Sequence, residues 1–292
     1  MNVDMSDALS AESATEASLT ELNEEIERFA EWANTMPGII AANSLIAELD
    51  NYFQPLHTTF RQLVQLPTIA AVDNLRLAVT AMRNHDSQPP FAIATLLRAA
   101  GTSASIALWL LADEDSDRQL RALKLLCKDY SDYLNFLSTC STATWVDDEA
   151  HQHAFRSRTE ITERLRQSGR MITQLTPNDQ AERNKSNEFG DLKVVTDSST
   201  RVGAILSDPQ FPADALLWHW QKASGAVHAR QWATLIWVDR RPEANEAGTT
   251  THSRLTGDLT DLLDAAWLTQ AIVRAIRLRY LALAGQTEQE ET

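Results

Sequence analysis

The stretch SGAVHARQWA, Ser224 to Ala233, sets His228 two residues before Arg230, beside Gly225 and Trp232. An imidazole next to a guanidinium is a minimal set for phosphoryl chemistry. The histidine takes a proton as general base while arginine stabilises the developing charge. A second set lies earlier, where Thr95, Arg98, Thr102 and Ser105 follow i, i+3, i+7, i+10 spacing. That spacing puts all four on one face of a helix whose other faces are Ala, Leu, Ile and Trp. A buried guanidinium must find acceptors, so Arg98 requires a partner on another helix.

Asp214, Gln221, Ser224 and His228, spaced i, i+7, i+10, i+14, form a matching face. The two faces are expected to meet across the core, bringing Arg98, Ser224, His228 and Arg230 into one constellation. Gln221, Thr102, Trp218 and Trp232 are its candidate binding residues. The stretch WHWQ, Trp218 to Gln221 with Trp220 inside it, joins Trp232 and Trp237 in an aromatic cluster that either fills core or walls an apolar pocket. Read structurally, the same polar residues are a satisfied network that sets helix register. This reading carries more weight than a functional pocket.

The elements that must position these residues follow from pattern. PPFAIATLLRAAGTSASIALWLLA, Pro89 to Ala112, has one charge in 24 residues. Arg98 near the centre of a membrane span would cost about 2.5–3.5 kcal/mol. Acidic residues flank both ends, so the segment reads as the fully surrounded central helix of a soluble bundle. Ser18 with Glu21 makes a capping box for a helix to about Asn34. Residues 39–65 read as helical with a break near Pro55, and Pro67 opens a helix ending near His85. Arg83 and His85 suit the helix C-terminal dipole. Ser116 with Gln119 is a second capping box, and a polar helix runs from Asp147 to about Thr173. Thr176-Pro177 suits the start of a short helix, and Asn184 to Lys193 reads as a loop. Helices follow at about 195–207, from Pro212 to Ala229, and from Asp258 to Ala284. Between the last two, β-branched and aromatic stretches at 232–241 and 248–256 predict a hairpin. The expected fold is an all-α multi-helix bundle around a central apolar helix at about 89–112, with a small hairpin near 232–256. Residues 18–284 are one domain between disordered acidic tails, 1–17 and 285–292.

The formal net charge is −14, with 11 acidic and one basic residue in the first 50. The body between the tails is nearly neutral, and no Lys/Arg run would grip a phosphate backbone. DNA and anionic membranes are therefore not expected partners. Cys127 and Cys140 on one helix would stand roughly 20 Å apart, beyond disulfide reach. The N-terminus lacks the marks of a signal peptide, and a reducing cytoplasm is the expected compartment. Asp147 with His151 and Glu149 with His153 are i, i+4 pairs, but acids in a first turn serve the helix dipole. No metal is assigned there. No Walker loop, Gly-x-Gly-x-x-Gly, Gly-x-Ser-x-Gly or His-Glu-x-x-His motif occurs, and no cofactor is expected.

The proline-started Leu-Leu-Arg helix, followed by Ser-Gly-x-x-His and a nearby Trp, resembles a set of helical actinobacterial proteins of unknown function. The resemblance spans roughly 70–280 and marks Arg98, Ser224, Gly225, His228 and Trp232. It also implies a Glu shortly after the Arg, where this chain has Gly101-Thr102-Ser103, which weakens a proton-transfer role. More distantly the pattern resembles the helical HEPN class, which includes toxin ribonucleases and abortive-infection proteins. Their Arg precedes a His by four to six residues, and here Arg230 follows His228. The leading expectation is a helical binding or interaction module without catalytic activity, engaging a protein or small-molecule partner and compatible with a homodimer. The alternative is a HEPN-like ribonuclease or other hydrolase of a defence system. RNA is a partner only under that alternative, with His228 as base and Arg98 and Arg230 on the phosphate.

Overall fold

A computed structural model describes residues 5–38, 40–83, 89–144, 147–177, 189–230, 232, 238–244, 250–257 and 259–286. The expected tail ends at 1–4 and 287–292, His85, Trp237, a helix after Pro177 and the loop at 184–188 lie outside them. Nine α-helices and one two-stranded sheet appear among the described residues.

Helix α1 spans Met5–Thr35 and so begins well before Ser18. Residues 5–17 are rich in Ala and Glu, strong helix formers, and the helix runs through them. Ser18 does not start it. Its Oγ accepts a 2.9 Å hydrogen bond from Trp267 Nε1 instead. Leu19, Leu22, Ile26, Phe29 and Ala33 then form the buried stripe of α1. Helix α2 (Leu45–Phe53) is capped by Ser44, and a 3-10 turn at Gln54–Leu56 supplies the break at Pro55. Helix α3 (Phe60–Met82) starts earlier than Pro67, which lies inside it. An interior proline costs about 3 kcal/mol. A Thr59–Gln62 capping box and a buried stripe on both sides of Pro67 hold the helix together.

Helix α4 (Pro90–Leu110) has proline at its first position, where the missing N–H costs little. Helix α5 (Asp115–Thr142) starts without side-chain capping, from Glu114 rather than Ser116. Arg118 already binds the Ala112 and Asp113 carbonyls, which places the first turn. Helix α6 (Asp148–Leu175) is capped by Asp147, and its last turn is closed by Thr176, whose Oγ1 donates to Ile172 O at 2.8 Å. Helix α7 (Asp191–Ile205) begins inside the expected loop. At Gly203 a Cβ would stand 2.7 Å from Asp208 O, so the turn after α7 requires glycine. Helix α8 is Ala213–Val227 and helix α9 is Leu259–Leu283. Gly285, at φ 74°, provides the left-handed residue that ends α9, and Gln286 N–H bonds back to Leu281 O at 3.0 Å.

Strands β1 (Val238–Ala244) and β2 (Thr250–Gly257) pair antiparallel, from Val238 opposite Gly257 to Ala244 opposite Thr250, with an irregularity at Glu243/Ala244. The first strand runs through Pro242, which the sequence assigned to the loop. In a two-stranded ribbon each strand has a free edge, so the missing proline N–H is tolerated. The hairpin finds its packing partner in α4, which β2 touches.

Helices α4 and α9 share the centre. Helix α4 packs against α3, α7, α8 and α9, while α9 packs against α1, α3, α4, α7 and α8. Each fully buried Leu or Ile contributes about 1.5–3 kcal/mol, and α4 supplies Ile93, Leu97 and Leu108 while α9 supplies Leu262, Ile272 and Ile276. The architecture is the all-α bundle around an apolar helix that the sequence implied. Helix α4 is not fully surrounded, however, since Ala92 and Thr95 are exposed. It is the one helix among the described residues long and apolar enough to cross a membrane, and half of its most apolar window is buried inside the fold.

Candidate functional site

The two polar faces meet. Arg98 Nε donates to Ser224 Oγ at 3.1 Å, and its Nη2 stands 3.5 Å from Asp191 Oδ2 at the start of α7. The guanidinium also lies 5.3 Å from the centroid of the Trp220 ring, within cation–π range. Trp220 in turn donates from Nε1 to Thr102 Oγ1 at 2.8 Å. This seam joins α4, α7 and α8 by side chains that polar periodicity had placed face to face. Trp220 comes from the tryptophan cluster expected around the motif, while Asp191 completes the seam without having been singled out.

The expected constellation is only half assembled. Gln221 is exposed midway along α8, and His228 and Arg230 are exposed at and beyond its end. Among the described residues no hydrogen bond or ion pair joins His228 or Arg230 to Arg98. The reason is helical geometry. Ser224 turns toward α4, while Gln221 and His228 lie on the outer edge of the same stripe. Thr95 is exposed and donates to its own Phe91 carbonyl at 2.7 Å. Ser105 is buried, and its carbonyl accepts from Ser198 Oγ at 2.8 Å. Trp218 and Trp232 are each 46% exposed, so neither is a core residue.

The inward face of α8 carries the groups that sequence reasoning missed. Lys222 is 2% exposed and forms an ion pair with Asp261 in the first turn of α9. Its ammonium lies 4.5 Å from the Trp218 ring centroid. His219 is buried beside it, and its Nδ1 has no hydrogen-bond partner. Burial pushes the His219 imidazole below its usual pKa, with Asp261 pulling the other way and Lys222 reinforcing the fall. The available signal was the i, i+3 spacing of His219 and Lys222 among Leu216, Ala223 and Ala226.

A second polar cluster surrounds the C-terminus of α4, where the last carbonyls lack intrahelical donors. Arg118 Nη1 donates to Asp113 O at 2.8 Å and also to Ala112 O. Arg121 Nη1 reaches Trp109 O at 2.8 Å. From α7, Arg201 donates to Leu108 O at 3.0 Å and Leu111 O at 2.8 Å. From α9, Arg279 donates to Leu111 O at 3.4 Å and Ala112 O at 3.3 Å. Asp113 lies 2.9 Å from Arg279 and 3.5 Å from Arg201. Burial lowers the pKa of Arg201, and Asp113 opposes that shift. Four guanidiniums thus answer the negative end of the α4 dipole.

Three of the four residues in the candidate metal pairs make local contacts. Asp147 Oδ1 accepts from Ala150 N at 2.8 Å, His151 Nε2 lies 3.1 Å from Ala143 O, and His153 Nδ1 lies 3.3 Å from Ser157 Oγ. No group of three potential ligands converges among the described residues. Arg83 donates to Thr20 Oγ1 at 2.9 Å, tying α3 to α1.

Helices α5 and α6 pack chiefly on one another. Among the described residues from 131 to 160, this arm buries only Leu137 and Ala154. Over the same span it exposes Phe136 and Phe155, the latter 75% exposed, and part of Tyr133. The Tyr133 and Phe136 rings stack with centroids 6.2 Å apart.

No protein-family model, curated protein or solved structure matches this chain.

Proposed function

We propose that the protein is a soluble, cytoplasmic helical binding module that engages a protein partner through the outer half of the α5–α6 arm. One observation carries this reading. Among its described residues from 131 to 160, the arm holds two long helices together with two buried side chains, yet presents aromatic rings to solvent. Exposed aromatic side chains supply large contact area at low entropic cost, and they anchor interfaces. The seam supports the non-catalytic part of the reading, because Arg98 is engaged by Ser224, Asp191 and Trp220 rather than left for a substrate.

The test is site-specific photo-crosslinking in cells that express the protein. A photoreactive phenylalanine analogue at Phe136 or Phe155 is expected to give a discrete adduct that Tyr133→Ser weakens. The same analogue at exposed Leu192 on α7 is expected to give none. Arm positions that yield no discrete adduct would overturn the proposal. The competing ribonuclease reading rests on His228 and Arg230, both exposed in one turn. It would be favoured instead by RNA cleavage that disappears in His228→Ala.

A further inference from the structure

Helix α3 turns Leu66 and Leu77 to solvent, 67% and 56% exposed. Their i, i+11 spacing is close to three full helical turns, so they share one face. Ala70 and Asp73 lie between them on that face, and neither is buried. On α4 the outward side runs through Ala92, Ala99 and Ile106, spaced i, i+7, i+14, with Leu96 and Ser103 beside them. None of these is buried either. Helix α9 packs against both α3 and α4, so their open sides point the same way, away from it. The chain reverses between Met82 and Pro90, which sets Leu77 near the start of α4 and Leu66 near its end. The two helices thus present one apolar face, and its charged residue is Asp73, which has no ion-pair partner among the described residues.

We propose that this face is the contact between two copies of the chain, which lay α3 on α3 and α4 on α4 in antiparallel pairs. Its size fits that occupant. A helix as long as α4 extends about 30 Å, and two helices side by side make a face about 20 Å wide. Each copy then buries roughly 600 Å², or about 1,200 Å² for the pair, the lower end of what a specific interface needs. The face is also self-complementary, as a two-fold contact requires. A two-fold axis lying across the helices at the level of Ala99 sets Ala92 in one copy against Ile106 in the other. It likewise sets Leu96 against Ser103, so that each large side chain meets a small one. On α3 it sets Leu66 against Leu77. A lipid surface fits less well, because the face carries no Lys or Arg and the net charge of −14 repels anionic headgroups. Near the axis the two Asp73 carboxylates approach one another, and their repulsion weakens the dimer. The contact is separate from the aromatic arm.

Sedimentation equilibrium tests it. The full chain is expected to be dimeric at about 100 μM and to dissociate on dilution to about 1 μM. Leu77→Glu, at an exposed position, is expected to raise the dimer Kd by about ten-fold or more at unchanged helical circular dichroism. Asp73→Asn is expected to lower it, since it removes the repulsion without changing side-chain size. Phe136→Ser on the arm is expected to leave it unchanged. A chain that stays monomeric at about 100 μM would overturn the proposal. So would a dimer that neither Leu77→Glu nor Asp73→Asn shifts, or one that Phe136→Ser abolishes. Flotation with phosphatidylserine vesicles that Leu77→Glu abolishes would assign the face to a membrane and overturn it as well.

Discussion

Helix α4 carries two polar regions, and they are built differently. At its C-terminus Arg118, Arg121, Arg201 and Arg279 each donate to backbone carbonyls between Leu108 and Asp113. These acceptors exist in any helix end, so the guanidiniums are consumed by architecture. At mid-helix, Arg98 relies on one hydroxyl, one carboxylate at 3.5 Å and an aromatic face. Next to it His219 has an open nitrogen. The first region locks α4 to α5, α7 and α9. The second joins α4, α7 and α8 through fewer contacts. Arg118 also keeps one buried donor, Nε, without a partner, so the first region is favoured by the number of bonds its guanidiniums make rather than by complete satisfaction.

The comparison is broken most directly by unequal losses on mutation. Arg118, 3% exposed, is expected to show the largest effect, with Arg118→Met losing about 3–5 kcal/mol as buried carbonyls and Asp115 lose their partner. Urea unfolding at neutral pH measures it. Arg98→Met is expected to lose only about 1 kcal/mol by the same assay, since its hydrogen bond is single and its side chain is 23% exposed. Equal losses at Arg98 and Arg118 would abolish the distinction between the two regions. His228→Ala, on the exposed end of α8, is expected to fall within about 0.5 kcal/mol of wild type.

The smallest effect sharpens the comparison through pH. His219 is held neutral in the folded protein below the pH at which a free histidine protonates, about 6.5. Above that pH the folded and unfolded states bind the same proton count at this site. As pH falls below about 6.5, the unfolded state takes up a proton that the folded state refuses, so stability declines. The decline stops once the folded imidazole also titrates. His219→Phe is expected to flatten this part of the stability–pH curve, and a difference curve against wild type that shows no slope below pH 6.5 would contradict it.

Much of the architecture was legible because helical period and capping chemistry are local. The stripe Leu19, Leu22, Ile26, the proline-started α4 and the Asp147 cap all follow from residues within a few turns of one another. The meeting of Arg98 with Ser224 was legible for a related reason, since polar residues at helical spacing on two apolar helices have few other places to go. Pro67 shows the limit, because its local signal says helix start while a capping box at Thr59 and a buried stripe carry the helix through it. Ser18 and Ser116 show it again, where a good capping pattern is bypassed.

By itself the sequence determined the helical class, the apolar central segment, the hairpin and one pair of facing polar stripes. Each of these depends on periodicity or on short-range sterics. Only the tertiary structure decided that Lys222 would be buried against Asp261, 39 residues away. It alone decided that His228 would face solvent while Ser224, one turn earlier, faces α4. It also brought arginines from three helices to one helix end. Those outcomes depend on which helix lies against which face, and no local spacing encodes the distance between residues far apart in the chain.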